Sequence, residues 1–347
     1  MFKRIRKQKR WHEILGLLLL LFLLYKVDSS NFKKASFYFK VQDIYFEYEA
    51  AEQIQKGINP YVAVLDSNMV ENNNYATMLP LYYQFLGVLY KMADHEFRHF
   101  VELYRNILFI FHFLGGVTIY MFFRKLDKKM VGYTAAAIYM FNLWSLESFI
   151  FLKQDMIAIA FLLGSFYFFR GKKSWLSYLL LGISLGIKHI GIFALPLYLT
   201  PLLFKEKKLK PFLMDIFFLL IPIVLPAVPF LIDNFKGVAY SMLFSATRTA
   251  KYSKLIFGYH NLLVNYSDSG LNGKMPDFLL PRLPLLVATL MNVSLLFTKR
   301  ITRAMYLLTS ILVFTIFNPV IFPQYFTWIP PFIFAAHWED LNKKRLS

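Results

Sequence analysis

Asp43 and Glu47 stand four residues apart, so a helix through them puts two carboxyls on one face. A carboxylate held that way at a membrane surface can take the proton from an attacking hydroxyl, which is general-base chemistry. The structural alternative is that Asp43 caps the helix and Glu47 is solvated surface. Asp155 lies in Leu152-Lys153-Gln154-Asp155-Met156, between two apolar stretches. A helix N-terminus stabilises an acid there, so simple capping competes with a functional role. Lys188-His189 separates the apolar stretches 175–188 and 190–204. Two cationic or proton-donating groups at such a tip suit a phosphate at headgroup depth, against the alternative that they only snorkel to lipid headgroups. Farther on, Arg248, Lys251 and Lys254 precede Gly258-Tyr259-His260-Asn261. Interleaved basic and aromatic residues can hold a lipid phosphate and a sugar face, and a solvated basic loop is the plainer reading. His112, among Phe109, Phe111 and Phe113, reads as a hydrogen-bonded core histidine, and Glu147 is a minor candidate.

Other chemistries are excluded or weak. The chain has no cysteine, which removes disulfides, thiolate metal sites and thiol nucleophiles. Gly182-x-x-x-Gly186-x-Lys188 lacks the spacing of a phosphate-binding nucleotide loop and follows no strand, so its glycines read as close helix packing. No stacking-plus-basic module of the nucleic-acid type is visible.

These residues are separated by apolar segments. Hydrophobic residues make up 57% of the chain and aromatics 19%, more than one soluble core of this length would use. The expected fold is an all-α, polytopic membrane protein, a single domain over 1–347. Candidate spans are 13–29, 105–123, 131–148, 154–169, 175–188, 190–204, 212–232, 283–298, 304–321 and 325–338. Lys3, Arg4, Arg6, Lys7, Lys9 and Arg10 precede the run Ile14 to Leu24, with no small-x-small cleavage site after it, which predicts an uncleaved signal anchor. With both termini in the cytoplasm, the formal charge of +18 sorts into clusters at 124–129, 170–173, 205–210, 298–303 and 343–345, all on the inner side. That sorting requires 78–92 to be a juxtamembrane or re-entrant helix rather than a crossing. Two long connections, 30–104 and 233–282, then fall outside. The first holds an amphipathic stretch from Asp43 to Lys56, with Ile44, Tyr48, Ala51 and Ile54 or Ile58 near one face, which predicts an interfacial helix. Gly57-Ile58-Asn59-Pro60-Tyr61 ends it with a glycine cap and a turn.

The order of these residues resembles a family. Asp43 is followed by Gly57-Ile58-Asn59-Pro60-Tyr61, then Pro80-Leu81-Tyr82, Gln154-Asp155, Gly182 to Lys188, and Pro323-Gln324-Tyr325-Phe326-Thr327-Trp328 with Pro330-Pro331. This series is similar to the C-type (GT-C) fold of integral-membrane glycosyltransferases, and within it to the polyprenyl-phosphate-mannose-dependent mannosyltransferases, including the first mannosyltransferase of glycolipid-anchor synthesis. The likeness covers nearly the whole chain and rests on the order of short motifs. It implies a bundle of about ten transmembrane helices with juxtamembrane helices in the first outer loop. It also implies that Asp43 matches the first-loop catalytic acid and Asp155 the second-loop acid. Glu47, Lys188, His189, Arg248, His260 and Tyr325 then fall to substrate binding, with Lys188 near the donor phosphate. Tyr45 stands where an Asp-x-Asp motif would have its second acid, and the tyrosine before Pro80 is displaced to Tyr75. Metal dependence and the anchor-synthesis role therefore do not carry over; no cofactor is implied, and a divalent metal stays open.

The function so implied is transfer of a single sugar, a hexose such as mannose, from a polyprenyl-phosphate donor to a lipid or glycan acceptor at the extracytoplasmic face. The partners are those two substrates and membrane lipids, with no nucleic acid. A transporter or flippase of polyprenyl-linked lipid competes, but it would favour ionisable pairs near the bilayer midplane, whereas these acids cluster at the rim. A glycan polymerase or ligase would move a whole oligosaccharide instead.

Overall fold

The computed structural model describes residues 2–35, 43–61, 76–169, 173–247, 282–318 and 322–346. Among them every regular element is helical, with no strand. In chain order these are α1 (Phe2–Ala35), α2 (Asp43–Gln55), α3 (Pro80–Met92), α4 (Phe97–Arg124), α5 (Lys129–Phe141), α6 (Leu143–Ile150), α7 (Asp155–Phe168) and α8 (Ser174–Ile187). A 3-10 turn (His189–Ala194) leads into α9 (Leu195–Leu203), followed by α10 (Leu209–Thr247), α11 (Leu283–Phe297) and α12 (Arg303–Phe317). A second 3-10 turn (Pro323–Trp328) precedes α13 (Ile329–Leu346). Among the described residues two helical stretches, Phe97–Arg124 and Leu209–Ala239, are long and apolar enough to cross a membrane; five shorter apolar ones accompany them.

Local chemistry explains the breaks. The expected span 131–148 is divided at Asn142, whose side chain accepts a hydrogen bond from Ser145 N at 3.0 Å and so caps α6. Asn234 leaves helical geometry (φ −149°) and kinks α10 beyond its proline run Pro222, Pro226 and Pro229. The stretches 190–204 and 325–338 each begin as a 3-10 turn instead of an α-helix.

Small residues let the helices close up. A Cβ on Gly182 would stand 2.2 Å from the Leu219 carbonyl oxygen, so α8 and α10 meet backbone to backbone. Gly186 likewise admits Leu81 of α3, as the sequence predicts for these glycines. The outward faces of α1, α10 and α11 are lined by exposed large apolar residues, among them Leu15, Phe22, Phe217, Leu225, Leu290 and Met291. Apolar surface of that extent marks a membrane or a protein partner.

Polar contacts sort to opposite ends of the bundle. At one end, Arg124 and Lys129 pair with Glu13, Arg345 donates to the Lys125 carbonyl, Lys207 bonds Ser174 and Asp215, and Arg303 pairs with Glu206. Four of the five basic clusters named from the sequence thus contribute a residue to this end through 124–129, 205–210, 298–303 and 343–345, on the last two counts through Arg303 and Arg345. At the other end lie Asp28 with Arg105, Asp43 with Lys153, and Asp155 with Lys188.

The predicted interfacial helix forms as α2 with the expected apolar side, but that side is covered by protein. Ile44 and Ala51 are buried, and Tyr48 packs on Tyr90, Phe97 and Phe100 from α3 and the start of α4.

Candidate functional site

α2 closes with a Schellman motif. Gly57 takes φ +74°, its N–H bonds the Ile54 carbonyl at 3.0 Å, and Ile58 N–H bonds the Gln53 carbonyl at 2.9 Å. The turn this makes aims Asn59 at α10, where its amide donates to Asp233 at 2.9 Å and to the Phe230 carbonyl at 3.3 Å. Tyr61 is buried against Phe230 and Tyr83 and donates to the Met78 carbonyl at 2.7 Å. The Gly57–Tyr61 segment therefore clamps the end of α2 to α10 and to the start of α3.

That clamp sets α2 beside the starts of α4 and α7. Asp43, the proposed base, opens α2; its side chain is 66% exposed and ion-pairs with Lys153. Lys153 is one of the residues that sequence reasoning missed. It stands two positions before Asp155 and outside the basic clusters, and that placement was the signal for it.

Glu47 is not solvated surface. Its Oε2 is buried without a hydrogen-bond partner among the described residues. Burial pushes the carboxyl up to about 8; Asp43 adds to the rise, while the Tyr82 hydroxyl, Lys153 and Lys188 oppose it. Below the group, the hydroxyls of Tyr82 and Tyr104 share a hydrogen bond of 2.8 Å inside the core. Neither tyrosine was singled out from the sequence for this role.

Asp155 begins α7, with Gln154 as the capping residue. Asp155 itself makes no cap: it is 0% exposed, accepts from Lys188 Nζ at 3.1 Å, and accepts from Trp328 Nε1 at 2.7 Å. Lys188 does not snorkel. α8 ends at Ile187, and Lys188 adopts extended geometry (φ −147°, ψ 122°) that turns its side chain inward, leaving it 3% exposed. Its Nζ also lies 6.0 Å from the ring centroid of Tyr325, which is buried. His189, next in the chain, remains partly accessible. Thr327 ties the same turn to α6, bonding Ser148 at 2.7 Å and the Trp144 carbonyl at 2.9 Å.

The structure therefore brings Asp43, Glu47, Asp155, Lys188, His189 and Tyr325 to one end of the bundle and adds Lys153, Tyr82 and Trp328. Arg248 and His260, with Lys251, Lys254 and the rest of that loop, lie outside the described residues. Glu147 is partly buried on α6. His112 is buried as expected, but neither ring nitrogen has a hydrogen-bond partner among the described residues; Tyr139 and Phe149 pack around it. Its expected hydrogen bond is the part that fails.

Charge and donor type limit what this centre can do. Two lysines face three carboxyls, and a protonated Glu47 leaves the set near neutrality. Among the described residues no cluster of three or more His, Asp or Glu is placed to hold a metal ion. Ammonium groups already occupy Asp43 and Asp155, so the donor set does not fit a divalent cation. No family model matches the chain, and no curated protein matches it.

Proposed function

We propose that this chain is an integral-membrane glycosyltransferase of the C-type, moving one hexose, such as mannose, from a polyprenyl-phosphate donor to a lipid or glycan acceptor with inversion. In this reading the helices form a multi-pass bundle of about ten spans, both termini are cytoplasmic, and the centre around Asp43 faces the extracytoplasmic side. The observation that carries it is the gathering of Asp43, Glu47 and the Asp155–Lys188–Trp328 set at the end of the bundle opposite the basic clusters. A lipid-borne donor reaches such a rim from the bilayer and requires no nucleotide loop.

Asp43, ion-paired with Lys153, takes the proton of the acceptor hydroxyl. The freed oxygen forms its bond to the anomeric carbon as the bond from that carbon to the phosphate oxygen breaks on the opposite face, and polyprenyl phosphate departs as an anion. Such a leaving group needs cations rather than an acid, and Lys153, Lys188, His189 and Arg248 supply them. Each lysine is held by a carboxylate, Lys188 by Asp155 and Lys153 by Asp43, and transfer of the acceptor proton to Asp43 leaves the Lys153 charge free for the departing phosphate. Glu47, protonated at neutral pH, offers a donor to a sugar hydroxyl.

The test is incubation of purified protein with a panel of polyprenyl-phosphate sugars, reading release of polyprenyl phosphate and the mass of the product. A single-hexose increment with one donor, abolished in a folded Asp43→Asn variant, is the expected result. Counterflow of labelled lipid without a glycosidic product would replace the reading by transport, and block transfer of an oligosaccharide would replace it by a polymerase or ligase.

A further inference from the structure

At the end of the bundle opposite the acidic centre, four helices leave a pocket of about 300 Å³ between them, lined by Glu13 of α1, Met121, Arg124 and Lys125 at the end of α4, Lys129 of α5 and Tyr167 of α7. Its charges do not balance. Glu13 is 12% exposed and spends both oxygens, one on Arg124 at 2.7 Å and one on Lys129 at 2.5 Å. Lys125 has no carboxylate among the described residues; its Nζ rests 3.5 Å from the centroid of the Tyr167 ring, and its carbonyl accepts from Arg345 at 3.3 Å. Three cations thus share one carboxylate around a concave space, with an aromatic wall on one side. The first turn of α5 opens there too, and no side chain caps it, because Lys128 occupies the capping position. Ordinary positive-inside sorting places lysines on an open surface; here they converge on a volume large enough for a small polar group.

The apolar approach selects the ligand. Trp11, Ile14, Leu15 and Leu18 of α1 flank Glu13 and are exposed, as is Met130 next to Lys129. We propose that the pocket binds the phosphate of an anionic phospholipid headgroup, with the guanidinium of Arg124 and the ammonium of Lys125 on its oxygens and the acyl chains along the exposed face of α1. The site shares no residue with the acidic centre and does not depend on the transferase reading.

The full-length protein in detergent is titrated with phosphatidylglycerol and, separately, with phosphatidylcholine, and bound lipid is counted by native mass spectrometry. Phosphatidylglycerol is expected to bind more tightly than phosphatidylcholine. Lys125→Gln is expected to weaken it roughly tenfold, the equivalent of one charge-assisted hydrogen bond, and Arg124→Gln by a similar factor. Lys208→Gln, an exposed lysine at the same end but outside the pocket, is the control and should change nothing. Inorganic phosphate separates the two sources of the same chemistry: millimolar phosphate that competes the lipid off supports recognition through the phosphate, whereas phosphate that binds while phosphatidylglycerol does not overturns the lipid assignment. The unmodified chain gives a reading that needs no variant. A headgroup-tethered photoprobe should label Met121 or Tyr167, and labelling elsewhere, or equal affinity in wild type and Lys125→Gln, overturns the site.

Discussion

Removing the Lys188 ammonium tests whether the buried centre is held as described. Nζ and Oδ2 of Asp155 stand 3.1 Å apart with both side chains essentially inaccessible. At an effective dielectric of about 20, their attraction is about 5 kcal/mol. Lys188→Met deletes that attraction and strands the carboxylate, whose remaining donor is Trp328 at 2.7 Å; breaking one side of such a pair destabilises by roughly 3–5 kcal/mol. Asp155→Asn keeps an acceptor for Trp328 but leaves the lysine buried without a counter-charge, and should lose a comparable amount. The double variant removes both charges at once and should recover most of the loss. Reversible unfolding of the purified protein in mixed micelles at neutral pH, run as a double-mutant cycle, measures the coupling, expected at about 2 kcal/mol or more. Single losses that add to within about 0.5 kcal/mol in the double variant would refute the contact between these side chains.

Two further outcomes follow from the same geometry. Glu47 has a folded-state pKa of about 8 against an ordinary value of 4.5, so its contribution favours the fold while it is protonated and is lost as pH rises from about 4.5 to 8. Glu47→Gln should therefore flatten the fall in melting temperature across that window and be the more stable protein at its upper end, because the wild type loses roughly 1.4 kcal/mol for each pH unit crossed; parallel pH profiles would contradict this. Gly182→Ala forces a Cβ to within 2.2 Å of the Leu219 carbonyl, whereas at Gly164 the nearest atom is a flexible Leu180 methyl at 3.4 Å. Thermal unfolding should show a loss of about 1–3 kcal/mol at the first position and little change at the second.

Much of the helix order was legible because hydrophobic runs and basic punctuation are local properties. The stretch 78–92 emerged as a 13-residue helix about 20 Å long, consistent with its reading as too short for a straight crossing. Where a break rests on one side chain inside an apolar run, the pattern hides it: Asn142 was absorbed into 131–148 although Asn-x-x-Ser is a capping arrangement. At the site, types and positions were readable, but pairings were not. Asp43 meets Lys153 across 110 residues, and Asp155 meets Trp328 across 173. Contacts of that range depend on how α2, α7 and the turn before α13 pack, which no periodicity encodes. Glu47 shows the limit most clearly, since its spacing from Asp43 fits a surface helix and only the covering helices α3 and α4 bury its carboxyl.

The separation of 173 positions from Asp155 to Trp328 also bears on how the protein is made. A ribosome finishes the α7–α8 hairpin long before it reaches the indole, so the carboxylate and the ammonium can pair while Trp328 is still unmade. A buried charge without a partner is costly, and a counter-charge on the same hairpin lowers that cost for both members before the rest of the chain arrives. Trp328 then acts as a latch: the turn before α13 closes on a carboxylate that the earlier hairpin has already paired with its lysine, so a segment made later reads the assembly of an earlier one.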